Sequence, residues 1–126
     1  MMKILLDTNA LLWALLENPR ILPVREILLD RYNYAYISSI SIWEIAIKSK
    51  IKKISIDAVR VYNVALESGF KELPIIGKYI NEYMDFRLHH KDPFDHIIVS
   101  QAMQESLTLI TGDKLLQKYY DNIILI

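Results

Sequence analysis

The chain has 126 residues, of which 52% are hydrophobic and 24% are charged, and its formal net charge at pH 7 is zero. This length and composition predict a single soluble domain spanning residues 1–126. The absence of cysteine excludes disulfides, thiolate zinc sites and thiol catalysis. Zero net charge excludes a bulk attraction to nucleic acid, so a polyanion must be held by a local basic patch or by bridging metal ions.

Short apolar runs alternate with helical patterns along the chain. The first half predicts a strand at 3–6, a helix capped by Asn9, a helix from Pro23, a strand at 34–37, a helix from Ser41 to about Ser49 with capping-box spacing to Glu44, and a helix between Asp57 and Gly69. The second half predicts strands at 70–73, 107–111 and 123–126, helical segments at 76–86 and 114–119, and a helix from Asp92-Pro93 to about Glu105. Such alternation predicts an α/β fold with a mainly parallel sheet covered on both faces.

The N-terminal apolar run is too short for a signal peptide or a membrane helix. It is cut by Asp7, and no apolar run elsewhere approaches the ~20 residues that a membrane helix needs. We therefore expect a cytoplasmic protein with no membrane partner.

Four acidic residues lie where predicted strands end or predicted helices begin: Asp7, Glu44, Asp95 and Asp113. The carboxyl ends of neighbouring parallel strands meet at one edge of a sheet, where α/β proteins bind ligands. Clustered carboxylates raise one another's pKa values, and a divalent cation relieves that repulsion. Hard oxygen ligands without cysteine favour Mg²⁺ or Mn²⁺.

Each acid also has a structural explanation when it is taken alone. Acidic residues stabilise first helical turns. Glu44 fits the return half of a capping box, and Asp95 and Asp113 fit first-turn or cap positions. Asp92 fits an N-cap first and the periphery of a site second. Asp7 is harder to explain in this way, because a carboxylate buried at the end of a central strand must be paired or bound to a metal.

Four segments together resemble the signatures of PIN-domain nucleases. They are Leu5-Leu6-Asp7-Thr8-Asn9, Ser41-Ile42-Trp43-Glu44-Ile45-Ala46-Ile47-Lys48, the stretch from His90 to Ala102 that contains Asp92-Pro93-Phe94-Asp95-His96, and Leu109-Ile110-Thr111-Gly112-Asp113. Their order and spacing, over nearly the whole chain, are similar to those of VapC-like toxins of type II toxin–antitoxin systems.

The resemblance implies a PIN-like fold of three α/β/α layers with a sheet of four or five strands. It implies a metal-dependent endoribonuclease whose catalytic residues and metal ligands are Asp7, Glu44, Asp95 and Asp113, with Asp7 and Asp95 as direct ligands. Thr8, Asn9 and Thr111 would orient carboxylates or metal-bound water. The implied cofactor is Mg²⁺ or Mn²⁺, and the implied partners are an RNA substrate, a cognate antitoxin protein and a second copy of the chain.

Several other residues admit two interpretations. The basic stretch Lys48, Lys50, Lys52 and Lys53 either guides an RNA backbone or is a solvated helix end, and we prefer the second. Trp13 and Trp43 either stack on bases or pack internally, and core or interface packing is preferred for Trp43. His89 and His90 are assigned to a loop, because hard metals prefer oxygen ligands. His96 follows the third acid where relatives often carry Arg, which puts a phosphate-contacting role at that position in question.

Two other functions compete with the nuclease. A catalytically silent PIN-like scaffold would keep the fold and bind a partner without cleaving it. An aspartyl-phosphate phosphatase would also place an aspartate after the first strand. We disfavour the phosphatase because such enzymes usually carry a second acid two residues later, where this chain has Asn9.

Overall fold

The computed structural model describes residues 1–87 and 91–126. Across these residues, five parallel strands form one sheet in the order β3-β2-β1-β4-β5. The strands are β1 Lys3–Leu6, β2 Tyr34–Ser38, β3 Lys71–Leu73, β4 Thr108–Thr111 and β5 Ile123–Leu125. The structure confirms the predicted strands, with small changes at their ends.

Helices connect the strands. They are α1 Thr8–Leu15, α2 Arg25–Leu29, α3 Ser39–Lys50, α4 Ala58–Glu67, α5 Ile80–Asp85 and α6 Pro93–Glu105, and 3₁₀ segments occur at Pro19–Val24, Gly77–Tyr79 and Lys114–Lys118. Along the described ranges, none of these helices is long and apolar enough to cross a membrane.

The core lies on both faces of the sheet, which explains why the strands read as continuous apolar runs. In β1, Ile4 and Leu6 are fully buried in one apolar cluster, which also includes residues of α1, α3 and α4. Leu5, between them, is fully buried in a second cluster with residues of α6 and β4. Alternate side chains of one strand therefore hold the two helical layers, and the predicted α/β/α arrangement is confirmed.

Two predicted helix starts are wrong, for the same reason. The N-cap of α1 is Asp7, whose Oδ1 accepts from the Ala10 amide at 2.8 Å, and not Asn9. The N-cap of α3 is Ser38, whose hydroxyl accepts from the Ile40 amide at 3.1 Å. The predicted capping box at Ser41 is therefore an interior part of α3. In both cases the strand continues into the helix without a loop, so the cap is the residue at the strand end.

The short helices also depart from the predictions, whereas the caps Asp57 and Asp92 are confirmed. The helix expected from Pro23 is replaced by a 3₁₀ segment that already begins at Pro19 and is followed by the five-residue α2. Asn18 accepts from the Arg20 amide and so caps this turn before Pro23 is reached. The segment 76–86 is divided between a 3₁₀ turn and α5.

Candidate active site

The carboxyl ends of β1 and β4 lie side by side at the centre of the sheet, where the strand order changes direction. Asp7 follows β1 at once and extends the ladder, because its amide donates to the Ile110 carbonyl at 3.1 Å. Thr111 ends β4, and Asp113 lies two residues further on. This edge is the usual ligand-binding position of an open α/β sheet.

A cavity of about 320 Å³ opens at this edge. Its lining includes five carboxylates and two cations together with smaller polar groups: Asp7, Glu44, Asp92, Asp95, Asp113, Arg20, Lys48, Thr8, Asn9, Trp13 and Gly112. The structure thus places all four acids singled out by sequence around one cavity. Asp7 and Asp113 follow strand ends, Asp95 lies in the first turn of α6, and Glu44 lies in the interior of α3.

Asp7 is the most enclosed acid of the site and is only 5% exposed. Its Oδ1 caps α1, and its Oδ2 accepts from the Thr111 hydroxyl at 2.5 Å. Burial raises the pKa of Asp7 to about 6; these hydrogen bonds oppose the rise, and the charges of Glu44 and Asp113 add to it. Asp7 is therefore both a structural cap and an electrostatically strained carboxylate.

Asp95, the third residue of α6, is more strongly perturbed. Burial, followed by repulsion from Asp92, Asp7, Glu44 and Asp113, raises the pKa of Asp95 from its ordinary value of 3.8 to about 8. Without a bound cation, this carboxyl group is largely protonated at neutral pH. The acids are thus close enough in space to oppose one another's ionisation.

Glu44 is held by two neighbours and is only 4% exposed. Thr8 donates its hydroxyl to Oε1 at 2.7 Å, and the Lys48 ammonium donates to Oε2 at 2.5 Å. This contact also raises the pKa of Lys48. Lys48 lies in the last turn of α3 as a partly exposed cation that is paired with Glu44, and Lys50, Lys52 and Lys53 are exposed, in agreement with the preferred interpretation. The (i, i+4) spacing of Glu44 and Lys48 is the sequence signal for this pair.

Of the residues expected to orient the acids, Thr111 contacts two of them, whereas Asn9 only lines the cavity. Thr111 donates to Asp7 and accepts from the Asp113 amide at 3.0 Å, so one hydroxyl connects two strand-end acids. Asn9 lines the cavity from an exposed position. Asp92 and Asp113 also cap helical segments, through bonds of 2.9 Å to the amides of Phe94 and Leu115. Capping and lining the cavity are therefore compatible in the same residues.

The donor chemistry fits a hard divalent cation, since it consists of carboxylate oxygens. Burial, followed by the charges of neighbouring carboxylates, raises the pKa of Asp7 and of Asp95. As the side chains stand, however, no three Asp, Glu or His residues in the described part of the chain are arranged to hold an ion. The Asp7 oxygens face Thr111 and the Ala10 amide, and Glu44 faces Thr8 and Lys48. An incoming cation must therefore displace Lys48 from Glu44 or rotate the carboxylates.

Other residues singled out by sequence lie elsewhere. His96 is buried, and its ring is 5.5 Å from that of Tyr83 and 5.7 Å from that of Tyr119, so a phosphate-contacting role does not fit. Trp43 is 59% exposed and meets Phe94 edge-on at 5.6 Å, so the prediction of core packing is wrong for this residue. His89 and His90 lie outside the described residues.

Arg20 is a site residue that the sequence analysis missed, and Trp13, considered there for base stacking or internal packing, lines the same cavity. The guanidinium carbon of Arg20 lies 4.0 Å from the centroid of the Trp13 ring, and both residues line the acidic cavity. Their spacing of seven residues, interrupted by Pro19, gives no periodic signal that would place them together.

The PIN domain family profile matches residues 4–122, which include every site residue named above. The chain belongs to the PIN-domain family. PIN domains are generally nucleases. No curated protein sequence matches the chain.

Three solved structures have the same fold as this PIN domain. The TM-score is 0.73 with a chain of VapBC2 from Rickettsia felis bound to a DNA fragment from their promoter, at 24% identity over 99% of this chain and 98% of that one. With VapBC-1 from nontypeable Haemophilus influenzae the TM-score is 0.69, at 18% identity over 99% of this chain and 97% of that one. With FitAcB from Neisseria gonorrhoeae the TM-score is 0.65, at 23% identity over 98% of this chain and 96% of that one. At these identities, the similarity concerns the fold.

Proposed function

We propose that this PIN domain is a metal-dependent endoribonuclease and the toxin of a type II toxin–antitoxin pair. The observation that carries the proposal is the meeting of Asp7, Glu44, Asp95 and Asp113 around one cavity at the carboxyl edge of the sheet. A fold without chemistry has no need to concentrate carboxylates there, because burial raises the pKa of Asp7 and Asp95 and disfavours their ionised forms.

In this proposal, Asp7 and Asp95 hold the metal directly, and Glu44 and Asp113 hold it directly or through water. When bound, Mg²⁺ or Mn²⁺ supplies Lewis-acid activation of a water and of the scissile phosphate. Thr111 and Thr8 fix the orientation of the Asp7 and Glu44 carboxylates through their hydroxyl groups.

The reaction proposed for these residues is phosphodiester hydrolysis. The oxygen of a water molecule forms a bond to phosphorus, the bond from phosphorus to the leaving sugar oxygen breaks, and one carboxylate of the site accepts the proton lost by the water. The products are a phosphate monoester and a free hydroxyl. RNA as the substrate is supported by the resemblance of the four acidic segments to VapC-like toxins.

The antitoxin partner is supported by the structures that share the fold. Two of them are VapBC structures, and the third is FitAcB from Neisseria gonorrhoeae. We infer that this PIN domain also acts in the cytoplasm, is held inactive by a cognate antitoxin protein, and forms a homodimer.

The test is cleavage of a labelled mixture of structured RNAs by the purified protein without antitoxin. We expect cutting with Mg²⁺ or Mn²⁺, none with chelator, and a loss of at least about 100-fold in Asp7→Asn and Asp95→Asn, because each removes a proposed ligand. Asp121→Asn, at an exposed position outside the cavity, is the matched control and should cut normally. Full activity in a folded Asp7→Asn protein would contradict the assignment.

The toxin role requires a separate experiment in cells. Expression of the chain alone should arrest bacterial growth, expression of Asp7→Asn should not, and co-expression of the protein encoded next to it should restore growth. Growth arrest by Asp7→Asn equal to that by the wild type would show that toxicity does not depend on the proposed nuclease centre.

A further inference from the structure

Arg20 is held at the wall of the acidic cavity by contacts that use only part of its binding capacity. Its guanidinium carbon lies 4.0 Å from the centroid of the Trp13 ring, and its Nη2 donates to the Ile126 main-chain oxygen at 3.1 Å. A guanidinium group has five N–H donors, and one of them is used in the hydrogen bond from Nη2 to Ile126. Several donors are therefore available at the edge of the guanidinium plane.

Gly112 provides the space that this arrangement needs. A Cβ atom added at Gly112 would lie 2.6 Å from Cη2 of Trp13 and 3.0 Å from Nη2 of Arg20. The backbone of Gly112 does not have a positive φ. Its lack of a side chain therefore matters for the close approach of the Trp13–Arg20 pair and not for backbone conformation. The pair is packed directly against the segment that leads to Asp113.

The charges around the cavity distinguish Arg20 from Lys48. Lys48 donates to Glu44 at 2.5 Å, so its charge is already directed to a carboxylate. Arg20 instead contacts an aromatic ring and a main-chain oxygen. A polyanion that approaches five carboxylates needs an opposing cation, and a planar guanidinium group matches a phosphate with two parallel N–H donors.

We propose that Arg20, held on Trp13 and against Gly112, binds a backbone phosphate of the nucleic acid substrate at the wall of the cavity. Trp13 and Gly112 act as positioning residues for this guanidinium. The inference rests on the proposed nuclease function, and it adds a substrate-binding residue that lies outside the four acidic segments.

Binding is measured in the cleavage-deficient Asp7→Asn protein, with a fluorescently labelled, mixed-sequence, single-stranded RNA in Mg²⁺ at several salt concentrations. Adding Arg20→Gln should weaken binding about tenfold and reduce the slope of log affinity against log salt by about one, because one phosphate contact is lost. Arg20→Lys should restore only part of the affinity, since it keeps the charge without the planar pair of donors. Arg60→Gln, an exposed arginine on α4, is the control and should change neither quantity.

Gly112→Ala tests the positioning role without removing a charge. It should weaken RNA binding by a similar factor, whereas Mg²⁺ binding to either variant, measured by calorimetry in an otherwise wild-type chain, should stay within about twofold. In cleavage assays, Arg20→Gln should raise KM more than it lowers kcat.

The outcomes separate this inference from the proposed function. Equal RNA affinity and equal salt slope with and without Arg20 would overturn the phosphate contact, even in an active nuclease. RNA binding that depends on Arg20 in a wild-type protein that never cleaves RNA would support the contact and contradict the nuclease. Absence of binding of this single-stranded RNA by the Asp7→Asn parent would contradict the phosphate contact, whereas the nuclease is judged separately by cleavage of the structured RNAs.

Discussion

At the scale of single residues, Asp95 is the acid whose surroundings disfavour its ionised form most strongly. Its pKa is raised to about 8 by burial and by the surrounding carboxylates. Because this value is higher than that of the unfolded chain, the folded state binds the proton more tightly. The stability linked to this proton is complete below about pH 4 and is lost as the pH rises to about 8.

Asp95→Asn should therefore stabilise the metal-free protein at alkaline pH. Between about pH 5 and about pH 9 in chelator, the free energy of unfolding of the variant should rise relative to wild type, by about 1–3 kcal/mol at the upper end. Urea unfolding at the two pH values measures this. A constant difference between the two proteins at both pH values would show that Asp95 does not titrate in this range.

Lys48 pairs with Glu44, so in the proposed metal site it competes with the cation for this carboxylate. Lys48→Gln should therefore increase the affinity for Mg²⁺ by about three- to tenfold, and should lower the stability of the metal-free protein by about 1 kcal/mol because Glu44 loses its charged partner. Calorimetric Mg²⁺ titration and thermal unfolding test the two effects.

Lys50→Gln, which removes an exposed charge from the same helix, is the control for this change. If Lys48→Gln leaves Mg²⁺ affinity at the level of this control, Glu44 is not a metal ligand.

At the scale of elements, a buried glutamine fixes the position of α6, which carries Asp95. Gln101 is fully buried; its Oε1 accepts from the Ser38 hydroxyl at 2.5 Å, and its Nε2 donates to the Leu73 carbonyl at 3.3 Å. One side chain thus connects α6 to the ends of β2 and β3. These hydrogen bonds therefore couple the position of α6 to that of the sheet.

Gln101→Leu should destabilise the protein by about 1–3 kcal/mol, because it leaves the Ser38 hydroxyl buried without this acceptor. Chemical unfolding measures the change, and Gln117→Leu, at an exposed position in the last 3₁₀ segment, is the matched control. Equal loss of stability in both variants would mean that the network contributes nothing specific to the position of α6.

At the scale of the whole molecule, divalent metal should couple the acidic site to global stability. A ligand that binds only the folded state raises the free energy of unfolding by about 2.7 kcal/mol at a hundred times its Kd. Mg²⁺ should therefore raise the Tm, and more at about pH 8 than at about pH 6, because protons on Asp95 and Asp7 compete with the cation. Thermal scans with and without Mg²⁺ test this. A Tm increase of the same size in the Asp7→Asn, Asp95→Asn double variant would place the ion elsewhere.

Local pattern was enough to predict the strands and the fold class. The runs 3–6 and 107–111 are apolar because both faces of the sheet are covered. A strand buried on both faces has consecutive apolar residues, which can be recognised in the sequence. Helix starts at Asp57 and Asp92 were readable because cap and proline signals act over a few residues. The N-caps of α1 and α3 could not be predicted in this way, because local signals do not show that strand and helix join without a loop.

The sequence by itself therefore predicted the alternating α/β order and the parallel sheet, since the apolar patterns of strands and helices lie within single elements. It also pointed to the four acids that line the cavity, through their positions at predicted strand ends and helix starts. The tertiary structure decided which groups meet them. Lys48 turns to Glu44, Thr111 bonds to Asp7, and Arg20 lies on Trp13 beside Gly112. The first contact lies within one helix, where the (i, i+4) spacing permits it. The last two join different elements and depend on the packing of side chains around the sheet edge, which the order of residues along the chain does not specify.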